Sequence, residues 1–136
     1  MAEVKKRILT KDQILAAEDV KVEEVEVPEW GGVVLVRGMT GIERDEFESK
    51  LVVGEGPNAK VDTRNVRAKL VAFCVVDEEG NRIFSDADVE LLGKKSAAAL
   101  QRVFDVAQRL SGMKEDSVKQ AIKGLGETVS AGSPSG

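Results

Sequence analysis

Val20-Lys21-Val22-Glu23-Glu24-Val25-Glu26-Val27, followed by Pro28-Glu29-Trp30-Gly31-Gly32 and Val33-Val34-Leu35-Val36-Arg37, is the stretch on which the fold turns. Apolar and charged residues alternate over 20–27, the period of a half-buried strand. The alternation slips once, between Glu23 and Glu24, and the slip predicts a β-bulge. Pro28 to Gly32 is a cluster of turn formers. Residues 33–36 are a second run of strand formers. Two such runs across a short turn predict an antiparallel hairpin over about residues 20–37.

Helical patterns lie on both sides of it. Upstream, Thr10-Lys11-Asp12-Gln13 is a capping box that opens a short helix. Downstream, Thr40-Gly41-Ile42-Glu43 is another, and Ile42, Phe47 and Leu51 predict an apolar stripe through about residue 51. Gly54-Glu55-Gly56-Pro57-Asn58 reads as a surface loop. Val66, Leu70, Phe73 and Cys74 recur at i, i+4, i+7 and i+8, so a helix is expected from about Thr63. It runs into Val75-Val76, where periodicity does not separate helix from strand. Asp77 to Asn81 is a turn, Arg82-Ile83-Phe84 a short strand, and Ser85 caps a short helix through Leu92. The strongest signal is the last. Leu100, Val103, Phe104, Ala107 and Leu110 share one helix face, with Ser96 as N-cap and Gly112 just past the end.

These patterns predict one small α+β domain, mainly helical, with an N-terminal antiparallel β-hairpin and four or five helices. The domain boundary is placed at residue 113: residues 1–113 form the globular part and 114–136 a flexible tail rich in Gly and Ser. A domain of this size buries roughly two-thirds of its unfolded surface, enough for a real core.

Composition narrows the chemistry. The 136 residues carry a net charge of −4 and include no histidine and no tyrosine. Without histidine, the usual general base and the usual transition-metal ligand are both missing. Ser-His-Asp and Cys-His arrangements cannot be built, and one cysteine cannot hold a structural zinc within the chain. Cys74 is that cysteine; its apolar neighbours mark it as a core thiol, and no internal disulfide is available. The basic residues are scattered rather than clustered, so no nucleic-acid partner is expected. The longest apolar run, residues 70–76, is too short to span a membrane, and no apolar block follows the basic N-terminal residues. The cytoplasm is the expected compartment.

Three weak motifs dissolve on inspection. Residues 77–88 place oxygen-bearing side chains as a calcium loop does, but Arg82 stands where the loop needs glycine and Asp88 where it needs a bidentate glutamate. Gly93-Lys94-Lys95-Ser96 lacks the upstream glycine of a phosphate loop. The acidic pairs Asp86/Asp88 and Glu43/Asp45/Glu46 sit in first turns of predicted helices, where the macrodipole favours them. Neither an enzyme nor a bound cofactor is expected. Trp30 is different: it is the sole tryptophan, set in a turn. It is either a lid folded onto the core or an exposed anchor for a partner.

Four stretches together resemble a known family: residues 25–32, 36–45, 75–84, and 96–113 with its closing Arg109-Leu110-Ser111-Gly112-Met113. They are similar to the tail assembly chaperones of long-tailed phages and prophages, over about residues 8–113. The resemblance implies a non-enzymatic protein that coats the tape measure protein, engages the tail tube protein, and is absent from the finished tail. Self-association along the partner is a further implication. Two other classes stay open: a structural virion component, such as a tube or head–tail connector protein, and a small regulatory or toxin-neutralising protein. For partner contact the expected residues are Trp30, Met113, Val118, Ile122 and Leu125, the last four lying in a segment of irregular apolar spacing.

Overall fold

A computed structural model describes residues 6–113. It shows an α+β domain in which helices pack on a small antiparallel sheet. The hairpin forms as expected from β1 (Val22–Val27) and β2 (Gly32–Arg37). Pro28 opens a 3₁₀ turn through Trp30, and Gly31 closes it at φ 77°, a left-handed conformation that glycine adopts without strain. The register is unbroken from Val22 opposite Arg37 to Val27 opposite Gly32. The predicted bulge is therefore absent. The slip has another cause: Val22 points away from the core and is 52% exposed, while Glu23 turns inward and pairs with Arg109 at 2.6 Å.

A third strand, β5 (Val75–Val76), pairs antiparallel with β2, setting Val36 against Val75 and Leu35 against Val76. Arg82 bridges to Val76, so the strand expected at 82–84 is a single bridge. The surface loop expected at 54–58 forms, exposed throughout, as the connection of a second small hairpin between β3 (Val52–Val53) and β4 (Lys60–Val61), which the sequence did not predict.

The helices are α1 (Lys11–Ala16), α2 (Gly41–Ser49), α3 (Val66–Cys74), α4 (Val89–Leu92) and α5 (Ala97–Leu110). Both expected capping boxes form, Thr10 with Gln13 and Thr40 with Glu43. Within α1 no residue is buried. Ile42, expected on the apolar stripe of α2, is 76% exposed; it lies in the first turn, and only Phe47 and Leu51 reach the core.

The core sits between the inner face of the sheet and helices α3 and α5. Val25, Val27, Val36 and Val75 meet Leu70, Val71, Val103 and Phe104 there, all buried. Phe47 and Phe73 pack edge to face with centroids 6.0 Å apart. Leu110 is partly buried at the margin of the core rather than inside it. Its carbonyl oxygen faces Gly38, where a Cβ would stand 2.3 Å away. Only glycine lets the end of β2 come so close to the end of α5. None of the described helices is long and apolar enough to cross a membrane.

Candidate partner-binding surface

The hairpin tip positions Trp30. Glu29 accepts two hydrogen bonds from the Arg102 guanidinium, at 2.5 and 3.1 Å, which ties the tip to α5. The same guanidinium, helped by a backbone hydrogen bond, holds the Glu29 carboxyl below its usual range. Trp30 folds back and packs, partly buried, against the core. The lid reading is thus the one the fold adopts. Its indole N–H is buried with no acceptor among the described residues. Such an unmade hydrogen bond costs about 1–3 kcal/mol.

Trp30 lines an open groove together with Ile83, Phe84, Leu91, Leu92 and Lys95. Leu92 is buried, but Leu91 is 64% and Ile83 50% exposed. Leu91 was not anticipated from the sequence; the one signal that could have found it is that two adjacent leucines on a helix of one turn cannot both face the core.

Met113 is 5% exposed and belongs to the core. This corrects the expectation that its side chain is left over for a partner. Gly112, at φ 74°, ends α5 with two further bonds: its N–H donates to Arg109 O, and the Met113 N–H donates to Gln108 O. This is the Schellman pattern, in which the residue after the glycine folds back against the helix. The glycine predicted the helix end; the packing of Met113 is its consequence. Val118, Ile122 and Leu125 lie outside the described residues.

Several of the reactive-looking acidic groups are engaged by neighbours. Asp77 accepts from the N–H groups of Glu79 and Asn81, and Asp88 accepts from the Ser85 N–H. The weak calcium loop is thus a turn followed by a helix cap. Glu43 caps α2 and pairs with Arg37 at 2.5 Å; Asp86 pairs with Lys50 at 2.7 Å. A charged hollow near Asn65 is lined by Lys50, Asp62, Arg64 and Lys69. There Arg64 holds the Asp62 carboxyl down to about 2. Burial pushes the Cys74 thiol up to about 12, so it stays protonated and inert at neutral pH. Among the described residues, no three metal-ligating side chains come together.

What the geometry offers is a half-buried aromatic lid with exposed aliphatic side chains beside it. The model of the phage tail assembly chaperone family matches residues 5–122 of the 136. No curated protein and no solved structure matches the chain. The match runs through the hairpin, the Trp30 tip and all five of the described helices, and by it the chain belongs to the phage tail assembly chaperone family.

Proposed function

We propose that this chaperone binds the tape measure protein and recruits the tail tube protein to it during tail assembly. The observation that carries the reading is the groove beside Trp30, where Ile83 and Leu91 stay exposed while their neighbours Phe84 and Leu92 pack on the core. A long helical protein without its tube exposes apolar stripes that aggregate, and such a groove can cover them. The net charge of −4 keeps the complex soluble.

In this reading the domain of residues 1–113 carries the groove, and the segment 114–136 adds Val118, Ile122 and Leu125 as further contacts. The partners are proteins, with no nucleic acid or membrane surface and no catalytic step. The chaperone acts in the host cytoplasm and is released before the virion is complete. Ordering a segment on its partner costs entropy, which keeps binding reversible and suits displacement by tube subunits.

The test is co-expression of the tape measure protein with the full chain, with a version ending at Met113, and with Leu91→Asp. The full chain is expected to keep the partner soluble and to co-purify with it; the other two are expected to do so poorly. Equal performance by the shortened version removes the segment 114–136 from the contact, and equal performance by Leu91→Asp removes the groove. Failure of the full chain itself ends the reading. Recovery of the chain from purified particles favours a structural virion component instead.

A further inference from the structure

The sheet has two faces, and only one is covered by α5. Residues directly opposite across an antiparallel ladder point to the same side. The outer face therefore presents two cross-strand rows: Glu24, Leu35 and Val76, and beside it Glu26 and Val33. Val33 is 51% exposed and Leu35 partly so; with Ile83, and the buried Val76 at its floor, they line an open groove along the face. Ile83 also lines the groove beside Trp30, so the two grooves share it and join Leu91 and Trp30 on one side to Leu35 and Val33 on the other.

The rims of the sheet part of this track are acidic. Glu24 and Glu26 stand on the β1 edge, and Glu78 and Glu79 on the opposite edge, in the turn after β5. All four are exposed, and among the described residues none of them joins an ion pair. On the covered side the contrast is complete: Glu23 pairs with Arg109 and Glu29 with Arg102. Arg37, at the far end of the face, is held by Glu43, and Arg82, which bridges to Val76, donates to Ala72 O and lies over the Phe73 ring.

We infer that the outer face of the sheet docks an amphipathic helix whose apolar stripe is bordered by lysine or arginine. An apolar floor a few side chains wide fits the stripe of one helix, and two lines of unpaired glutamates fit basic residues on either side of that stripe. The inference rests on the reading that the partner is helical, and it adds the charge pattern the partner must carry.

The probe is a set of three helix-forming peptides of about 20 residues, long enough to lie across the sheet. They share one apolar stripe and carry lysine, glutamine or glutamate beside it. Calorimetry with the full chain at low salt is expected to rank them lysine over glutamine over glutamate. The outer pair should differ on the order of tenfold or more, and the gap should shrink at high salt. Glu24→Lys with Glu79→Lys is expected to abolish or invert the order. Val33→Asp with Ile83→Asp is expected to weaken all three, and both sites are exposed enough for the fold to survive. Equal affinities, or an order untouched by the charge reversals, overturn the inference. Co-purification of the tape measure protein, measured in parallel, separates the two levels. If it persists without any charge ranking, only this inference falls; if it is lost along with all peptide binding, the proposed function falls too.

Discussion

The two faces of the hairpin are built from nearly the same residues and have opposite fates. Inside, Val25, Val27 and Val36 are buried, and the glutamates at the margin, Glu23 and Glu29, each meet an arginine of α5. Outside, Val22 and Val33 stand about half exposed, and Glu24 and Glu26 meet no cation among the described residues. Valine and glutamate do not choose a face by type. What separates the faces is α5, which brings an apolar stripe for the valines and Arg102 and Arg109 for the glutamates. A protein whose task is to hold another protein gains from leaving the second face open.

The sharpest break of this comparison is a charge placed on each face. Val36→Asp puts a carboxylate at a fully buried site with no partner and is expected to cost more than about 4 kcal/mol. Val33→Asp, across the sheet, is expected to change stability by no more than about 0.5 kcal/mol. Urea unfolding of both variants checks the pair; similar losses would mean that the outer face is covered. Phe104→Ala, in the helix that covers the inner face, should cost about 3–5 kcal/mol. A much smaller loss would show that α5 contributes little to covering it.

Gly38 tests how closely that helix must dock. Gly38→Ala drives a methyl group against the Leu110 carbonyl, a rigid backbone atom, and should cost about 1–3 kcal/mol. Gly32→Ala, whose added carbon meets nothing within 4 Å, serves as the control and should cost clearly less.

The smallest effect concerns acid. The Glu29 carboxyl lies below its ordinary value of 4.5, chiefly through Arg102. The folded form thus holds that proton more weakly than the unfolded chain does. Its contribution is present above that ordinary value and is lost as pH falls through the lower, folded one. Glu29→Gln is expected to flatten the acid side of the melting-temperature profile slightly and to leave the neutral side almost unchanged. A profile identical to that of the unaltered protein would show that the Glu29–Arg102 pair is idle in solution.

Much of the fold was legible because its signals are local. The turn chemistry of Pro28 and Gly31, the boxes at Thr10 and Thr40 and the stripe of α5 all act over a few residues and formed where they were expected, and the alternation read over 20–27 gave a strand from Val22 to Val27 without its bulge. The candidate site was legible only at Trp30, because a lone tryptophan in a turn stands out; that it lies as a lid, with Ile83 and Leu91 exposed beside it, was not.

What the tertiary structure decided is everything that depends on partners distant in the chain. Val75-Val76 became a strand because β2 had a free edge to offer, a fact no window around residue 75 contains. Glu23 could turn inward without a bulge because Arg109, far along the chain, was there to receive it. Met113 entered the core because Gly112 folded the chain back over α5. By itself the sequence determined which segments are helix, turn and hairpin, since backbone preference and hydrophobic period are short-range. Which of two similar faces is buried, and which is left exposed, was decided by where α5 came to rest, because burial belongs to pairs of elements and not to either one alone.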